Sequence, residues 1–97
     1  MRILALEHEN PGVTGEDFQP HLAAEAAQVY ELMQADVIRE IYFRGDRAEA
    51  VLMLECADEN AARAILDRMP LVQAGLITFE IIPLKPYPGL RRLFREE

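Results

Sequence analysis

The chain has 97 residues, of which 51% are hydrophobic and 28% are charged. This composition predicts one globular domain over residues 1–97 and excludes a disordered chain, which would be poor in hydrophobic residues. Ten Lys and Arg against 17 Asp and Glu give a formal charge of −7, which argues against a nucleic-acid partner because phosphate backbones are bound by clusters of basic side chains.

The first helix-containing segment follows a short strand. Arg2 to His8 is an apolar run that ends in polar residues, and Asn10-Pro11-Gly12 is typical of a turn. A helix is predicted from near Asp17 to about Gln34, with Glu25 among the polar residues that point away from its buried stripe. The residues of that stripe are Leu22, Ala26, Val29 and Met33.

The rest of the domain reads as a hairpin, a second helix and a last strand. Val37 to Arg44 and Glu49 to Cys56 are apolar runs joined by a short turn. Asp58 begins a helix with regular apolar spacing, which Pro70 ends at Met69. Leu76 to Leu84 is the last predicted strand.

This order of elements predicts the fold. A β-α-β-β-α-β chain is typical of an α+β, ferredoxin-like sandwich with an antiparallel sheet and two helices on one face. The first and third strands are expected in the centre, and the second and fourth at the edges. Pro83 agrees with an edge position for the last strand, since proline has no N–H for a neighbouring strand.

The two faces of the sheet are predicted to differ. The set expected to pack on the helices is Leu4, Leu6, Leu52, Leu54, Ile77, Phe79 and Ile81. The opposite face would then mix apolar and polar side chains, namely Ile3, Ala5, Met53, Ile82, Glu7, Glu55, Thr78 and Glu80. Such a face is typical of a partly wet cavity between subunits, and the alternative is a solvated face. We therefore predict a homodimer or a higher oligomer.

Residues 85–97 form a basic C-terminal tail on an acidic body. Residues 1–84 carry 6 basic and 15 acidic side chains, whereas the tail carries 4 basic and 2 acidic ones. Its segment Leu90 to Glu96 is predicted to form one or two helical turns. Since Leu90, Leu93 and Phe94 offer apolar anchors, we predict that the tail contacts another subunit; the alternative is a solvated end.

The cysteine content and the hydropathy bear on location. The single cysteine, Cys56, cannot form an intrachain disulfide. The N-terminal segment turns acidic at Glu7, too early for the apolar core of a signal peptide. No apolar run reaches the ~18 residues needed to span a bilayer. These features predict a cytoplasmic protein with no membrane partner.

Four motifs of the second half of the chain resemble a known family. They are Gly45 at the hairpin, Asp58-Glu59 at the start of the second helix, Met69-Pro70-Leu71 at its end, and Glu80-Ile81-Ile82-Pro83-Leu84 in the last strand. From Asp36 onward the chain resembles muconolactone isomerase-like proteins of the dimeric α+β barrel superfamily. The resemblance implies two subunits that pair their sheets, a small-molecule pocket between sheet and helices or at subunit edges, and proton transfer within a lactone without a cofactor.

Six polar residues are the candidates for a site. The catalytic candidates are Glu55, Glu80 and His8, and the substrate-binding candidates are Glu7, Arg39 and Tyr42. Enclosure between two sheets would raise the pKa of a carboxylate toward that of a working base, and histidine titrates near neutral pH. Arginine and tyrosine can hold a substrate carboxylate or carbonyl. The alternative for each is an ordinary surface contact or ion pair.

No metal or cofactor is predicted. His8 and His21 lack a metal-ligand spacing, and the chain has no phosphate-binding glycine motif. Two function classes follow. The first is a cofactor-independent isomerase of a lactone or a small oxygenated acid, with a cofactorless monooxygenase as a related alternative. The second is a non-catalytic ligand-binding or structural oligomeric module.

Overall fold

A computed structural model describes residues 1–95 of the chain. Ten segments of regular structure follow one another: β1 (Arg2–Glu9), α1 (Gly15–Phe18), a 3-10 turn (Gln19–His21), α2 (Leu22–Gln34), β2 (Ile38–Phe43), β3 (Ala50–Glu55), α3 (Glu59–Leu66), α4 (Pro70–Gln73), β4 (Ile77–Pro83) and a 3-10 segment (Pro88–Phe94). The predicted β-α-β-β-α-β order is confirmed, with α1 and α4 as short additions.

The four strands form one antiparallel sheet in the order β2-β3-β1-β4. The predicted central position of β1 and β3 is therefore confirmed, as is the edge position of β4, on which Pro83 lies opposite Ile3. The pairing of β2 with β3 shifts register between Ile38 and Glu40, which leaves Arg39 in a bulge.

The hydrophobic core lies between the sheet and the helices. Its large, fully buried side chains are Ile3, Ile38, Leu52, Leu54, Leu66, Met69 and Ile77. The predicted inward positions of β3 and β4 are confirmed, because Leu52, Leu54, Ile77 and Phe79 are buried and Ile81 packs against them.

The predicted orientation of β1 was wrong. Ile3 and Ala5 face the helices and are fully buried, whereas Leu4 and Leu6 are half-buried on the opposite face. The pairing fixes this orientation, since Ile3 lies opposite Leu54 and opposed residues in a sheet point to the same side. The sequence misled because Ile3 to Leu6 is apolar throughout, so only the polar residues that follow suggested a direction.

The predicted first helix is divided into α1, the 3-10 turn and α2. Asp17 Oδ2 accepts a hydrogen bond from the Thr14 N–H at 2.8 Å, as in a capping box at the start of a helix. Pro20 lies within the 3-10 turn and has no N–H to donate, so a continuous α-helix does not form there. The chain therefore changes direction before α2 begins at Leu22.

Helix α2 packs loosely on the sheet, and none of its residues is buried. Leu22 and Met33, which were predicted on a buried stripe, are 42% and 43% exposed, so that part of the prediction was wrong. Four of the thirteen residues of α2 are alanines, whose side chains are too short to fill the space above the sheet. A gap therefore remains between α2 and the sheet.

The second predicted helix is shorter than expected. Asp58 caps α3, since its Oδ1 accepts a hydrogen bond from the Ala61 N–H at 2.8 Å. Helix α3 ends at Leu66, three residues before the predicted end at Met69. Pro70 occupies the first position of a separate short helix, α4. Helix α4 consequently presents its own first turn to the space beneath α2.

The face of the sheet away from the helices is uncovered in the single chain, and we call it the open face. It carries five half-buried apolar side chains, Leu4, Leu6, Val51, Met53 and Ile82. Polar residues surround them, namely Arg2, His8, Glu40, Tyr42, Glu55, Thr78 and Glu80. The predicted mixture of apolar and acidic groups is thus present, although Ile3, Ala5 and Glu7 do not belong to it.

The C-terminal tail makes little contact with its own domain. The apolar anchors Leu90, Leu93 and Phe94 are 61%, 74% and 82% exposed. The molecule accordingly measures 61 Å in its longest dimension against 29 and 20 Å in the others. The predicted helical turns are present as the 3-10 segment, and the last two residues of the predicted tail, Glu96 and Glu97, lie outside the described residues.

No helix in residues 1–95 has the length and apolar character needed to cross a bilayer.

Candidate functional site

Glu55 lies at the end of β3 on the open face and is held by two cations. Its carboxylate accepts hydrogen bonds from the Met1 amino group at 2.7 Å and from Arg2 Nε at 3.2 Å. These bonds hold the pKa of Glu55 below its usual range. The shift is opposite in sign to the one predicted for an enclosed base, so within one chain Glu55 is an ionised, paired carboxylate.

His8 and Glu80 are brought together on the open face. His8 Nε2 lies 3.1 Å from Glu80 Oε1, and both side chains are partly exposed to solvent. Neighbouring strands place them there, since β1 pairs with β4. Two of the three predicted catalytic residues therefore form one hydrogen-bonded pair.

Tyr42 and Arg39 lie on β2, at the other edge of the sheet. The Tyr42 hydroxyl donates a hydrogen bond to Glu40 Oε1 at 2.9 Å, and this bond raises the pKa of Tyr42. Arg39 is exposed in the bulge of β2. Because β3 and β1 separate this edge from β4, the two residues do not join the His8–Glu80 pair in one site within the chain.

Glu7 lies on the helix side of the sheet, so its predicted position beside Glu55 and Glu80 was wrong. Its side chain is only 7% exposed, and its Oε1 accepts a hydrogen bond from the Ala50 N–H at 3.2 Å. The pairing of β1 with β3 ends at Leu6 and Val51, which are the residues next to Glu7 and Ala50. The carboxylate of Glu7 thus satisfies a backbone donor just beyond the paired stretch and points toward α2.

Glu25 of α2 is a second inward carboxylate, which the sequence reading missed. Its Oε1 accepts a hydrogen bond from the Leu71 N–H at 3.0 Å. That N–H belongs to the first turn of α4, where backbone donors have no partner inside the helix. A signal was present in the sequence: Glu25 follows Leu22 by three residues and precedes Val29 by four, so all three share one helix face.

Glu7 and Glu25 line the same cleft between α2 and the sheet, which has a volume of about 250 Å³. Its other lining residues are all apolar: Leu22, Ala26, Val29, Ile41, Phe43, Ala50, Leu52, Met69, Leu71 and Phe79. Two of these lining residues, Ala26 on the helix and Ala50 on the sheet, have the smallest side chains of the set. A neighbouring hollow of about 270 Å³ shares Glu7 with it and extends toward α1.

The environment of the cleft favours the protonated form of both glutamates. Burial raises the pKa of Glu7, the hydrogen bond from Ala50 partly opposes this, and the negative charges of Glu25, Glu49 and Glu9 raise it further. Burial also raises the pKa of Glu25, opposed by the hydrogen bond from Leu71. Two carboxyls with raised pKa values therefore line one cleft, and such carboxyls are typical of groups that carry out acid-base chemistry.

Glu49 is a third shielded carboxylate, with a structural task. Its Oε2 accepts the Glu9 N–H at 2.8 Å, and Arg47 Nε lies 2.8 Å from its Oε1. The bond from Glu9 holds the pKa of Glu49 below its usual range. Glu49 thus connects the start of β3 to the end of β1.

Within residues 1–95, no group of three or more His, Cys, Asp or Glu side chains is placed to hold a metal ion.

The opposite pKa shifts of Glu7 and Glu55 give a test by stability. The folded state holds the Glu7 proton more tightly than the unfolded chain, so this contribution is complete below the ordinary pKa of 4.5 and is lost as pH rises through the folded value. We expect Glu7→Gln to have a higher Tm than the unmodified protein at pH 8 and no such gain at pH 4. The measurement is thermal unfolding followed by circular dichroism.

Glu55→Gln is the matched control. The pKa of Glu55 is lowered, so its contribution is present above 4.5 and is lost as pH falls through the folded value. This variant should therefore be the less stable one at pH 8. Equal losses of Tm at pH 8 in Glu7→Gln and Glu55→Gln would contradict the buried, proton-holding environment of Glu7.

Two solved structures are similar to this chain. One is 5-chloro-2-hydroxyhydroquinone dehydrochlorinase from Burkholderia phenoliruptrix AC1100 in complex with 2,5-dihydroxybenzoquinone, with a TM-score of 0.74, 17% identity, and coverage of 92% of this chain and 98% of that one. The other is muconolactone isomerase, with a TM-score of 0.75, 14% identity, and coverage of 92% and 93%. Neither a protein-family model nor a curated protein sequence matches the chain.

These likenesses establish the fold. The chain has the same α+β fold as these two proteins, and the predicted resemblance to muconolactone isomerase is confirmed at the level of the fold. Sequence identities of 14% and 17% show a shared fold but not a shared activity, because one fold supports many different sites.

Proposed function

We propose that this protein binds a small organic molecule in the cleft and moves a proton on it without a cofactor, with Glu7 and Glu25 as the acid-base pair. One observation carries the proposal: two carboxyls whose pKa values are raised by burial line a single cleft that is otherwise apolar. Carboxyl groups that lie in a cleft and have raised pKa values are typical of catalytic acids and bases.

The proposed reaction needs only two proton transfers. The ionised carboxyl of the pair removes a proton from a carbon or hydroxyl of the ligand, and the electron pair left behind shifts through the conjugated system. The protonated partner then delivers its proton to a different atom. The reaction involves no net oxidation or reduction. The ligand loses one proton and gains one, and the protein gains one proton and loses one. Exchange with solvent or between Glu7 and Glu25 restores the starting protonation.

The comparisons support this class of reaction. The two similar structures are named for an isomerase of muconolactone and a dehydrochlorinase of a chlorinated hydroxyhydroquinone, both of which are small oxygenated molecules. The cleft of about 250 Å³ suits a molecule of that size. The same two names support the isomerase hypothesis from the sequence. The positions of Glu7 and Glu25 favour the cleft over the open face as its proposed site.

A non-catalytic ligand-binding module is the second candidate. It is favoured by the hydrogen bonds that both glutamates already make, since Glu7 satisfies the Ala50 N–H and Glu25 satisfies the Leu71 N–H. Glutamates with this structural task alone would bind a ligand without turning it over. A proton-exchange measurement separates the two candidates.

Ala26→Phe tests the cleft directly. A phenylalanine at this position would add a ring at a residue that lines the cleft. We expect the affinity for hydroxyhydroquinone to fall by at least about tenfold, as burial of the ligand's ring in an apolar pocket is lost. The measurement is titration calorimetry without oxygen. Ala27→Phe is the matched control, since Ala27 lies on the same helix but does not line the cleft. Equal affinity in both variants would exclude the cleft as the binding site.

We further propose that a second copy of the chain covers the open face. The five apolar side chains Leu4, Leu6, Val51, Met53 and Ile82 are only half-buried there, and a partner sheet would remove them from water. This arrangement agrees with the paired sheets that the resemblance to the dimeric α+β barrel superfamily implies. The His8–Glu80 and Arg2–Glu55 pairs would then lie at the margin of the interface.

A cytoplasmic location is also proposed, supported by the single cysteine, Cys56, which is free.

Removal of residues 88–97 is expected to weaken the assembly. The tail exposes three apolar anchors and carries basic side chains, so a second, acidic copy is a suitable surface for it. We expect the dissociation constant of the oligomer, measured by sedimentation at several concentrations, to rise by at least about tenfold. The doubly substituted Arg91→Ser, Arg92→Ser chain separates charge from apolar anchoring. An unchanged sedimentation profile in the truncated chain would mean that the tail is only a solvated end.

A further inference from the structure

We infer that the ligand of the cleft is an uncharged ring molecule with hydroxyl groups, and that it carries no carboxylate. The inference rests on the proposed function and narrows it, because the hypothesis from the sequence included small oxygenated acids. Three properties of the cleft lead to it: the sign of its charge, the chemistry of its polar side chains and its size.

The cleft is acidic and has no cation in its walls. Among the described residues, neither the cleft nor the neighbouring hollow is lined by a lysine, an arginine or a histidine. The charges that act on Glu7 come from Glu25, Glu49 and Glu9 and are all negative. A ligand carboxylate would lose its hydration and meet like charge, which is unfavourable on both counts.

The arginines of the turn before β3 do not change this balance. Arg47 Nε is 2.8 Å from Glu49 Oε1, and Arg44 is bound through two nitrogens to Asp46 at 2.9 and 2.8 Å. Both guanidinium groups are thus engaged by carboxylates outside the cleft. A substrate carboxylate would need one of them to leave its partner.

The polar side chains of the walls are the two glutamates. Each has one oxygen bonded to a backbone N–H, and the remaining walls are apolar side chains. A hydroxyl group can donate to an ionised carboxyl or accept from a protonated one, so it suits either state of Glu7 and Glu25. An ammonium group can only donate, and it would lose its hydration beside apolar walls, where burial of an ion pair is often not repaid. These properties favour a hydroxylated ring over an amine.

The volume sets the upper limit of size. A cavity of about 150 Å³ is large enough for benzene, so the cleft of about 250 Å³ accommodates one ring with a few substituents. Phe79, Leu52 and Val29 are among the residues that line the cleft, and these flat or branched surfaces suit a planar ring.

Three probes with the same ring test the inference. They are hydroquinone, 2,5-dihydroxybenzoate and 2,5-dihydroxybenzylamine, titrated calorimetrically into the full-length protein at pH 7 without oxygen. We expect hydroquinone to bind at least about tenfold more tightly than the benzoate, since like charges repel strongly in a low-dielectric cleft. In the Glu7→Gln, Glu25→Gln double variant, which keeps both acceptors for the backbone N–H groups, this ratio should fall toward one.

The outcomes separate the inference from the proposed function. Benzoate binding as tight as that of hydroquinone, lost in Ala26→Phe, would overturn the inference and leave the cleft as the proposed site. Tenfold tighter binding of the benzylamine would overturn it in favour of a cationic ligand. Absence of binding by all three probes, or binding that Ala26→Phe leaves unchanged, would overturn the proposed function together with the inference.

Discussion

Glu7→Gln is expected to slow the exchange of ring hydrogens of hydroxyhydroquinone with solvent deuterium by roughly 10²- to 10⁴-fold relative to the unmodified protein, the usual contribution of a catalytic acid or base. The glutamine keeps the hydrogen bond from Ala50 through its own Oε1 but cannot take up or release a proton. Affinity should therefore change much less than the exchange rate. The measurement is proton NMR in deuterated buffer without oxygen.

Glu80→Gln is the control for this experiment, because Glu80 is the carboxylate that the sequence favoured. It lies on the open face, paired with His8 and away from the cleft. We expect its exchange rate to remain within about threefold of the unmodified protein. Slowing in Glu80→Gln with normal exchange in Glu7→Gln would move the active site to the open face, and normal exchange in both would favour the non-catalytic module.

Met53→Lys is expected to convert the protein from an oligomer to monomers. Met53 lies at the middle of the open face, opposite Leu4 on β1 and Glu40 on β2. In a face-to-face pair of sheets, a lysine here would be buried without a partner of its own, and in a two-fold dimer it would be buried twice. We expect the dissociation constant, measured by sedimentation, to rise by at least about 10³-fold, which corresponds to about 4 kcal/mol.

Met33→Lys is the matched control for the interface. Met33 is a methionine of α2 that is 43% exposed and lies on the helix side, away from the open face. It introduces the same charge without touching the proposed interface, so the oligomer should persist. If Met53→Lys remained fully assembled, or if Met33→Lys dissociated instead, the interface would lie on the helices and not on the sheet.

The error in β1 and the location of the cleft have one cause. Alternation along β1 placed Leu4 and Leu6 toward the helices, because Glu7 shares its face with Ile3 and Ala5 and a carboxylate normally marks the solvent side. In the folded chain Glu7 is buried in the cleft. The residue that broke the pattern is thus the one we assign to the site, as expected where a functional residue departs from local sequence rules.

The order of elements, the strand positions and the faces of β3 and β4 could be predicted because each depends on local signals. Apolar runs, the Asp58 cap and the prolines determine where elements begin and end. The cleft depends instead on the distance between α2 and the sheet. That distance follows from how α2 packs on the rest of the domain in three dimensions, and no local pattern gives it.

Glu25 illustrates the same limit. Its place on the face of Leu22 and Val29 can be read from spacing, but its partner, the Leu71 N–H, is 46 residues away and becomes a free donor only because α4 begins at Pro70. That short helix was absent from the predicted elements. The pairing of Glu7 and Glu25 across the cleft was therefore beyond the reach of the sequence.

Methyl NMR of the protein titrated with hydroquinone shows directly which face of the sheet a ligand contacts. We expect the methyl signals of Val29, Ile41 and Leu52, which line the cleft, to shift with increasing ligand. Those of Leu4 and Val51 on the open face should stay in place. Shifts confined to Leu4 and Val51, with the cleft signals unmoved, would contradict the assignment of the functional site to the cleft of Glu7 and Glu25.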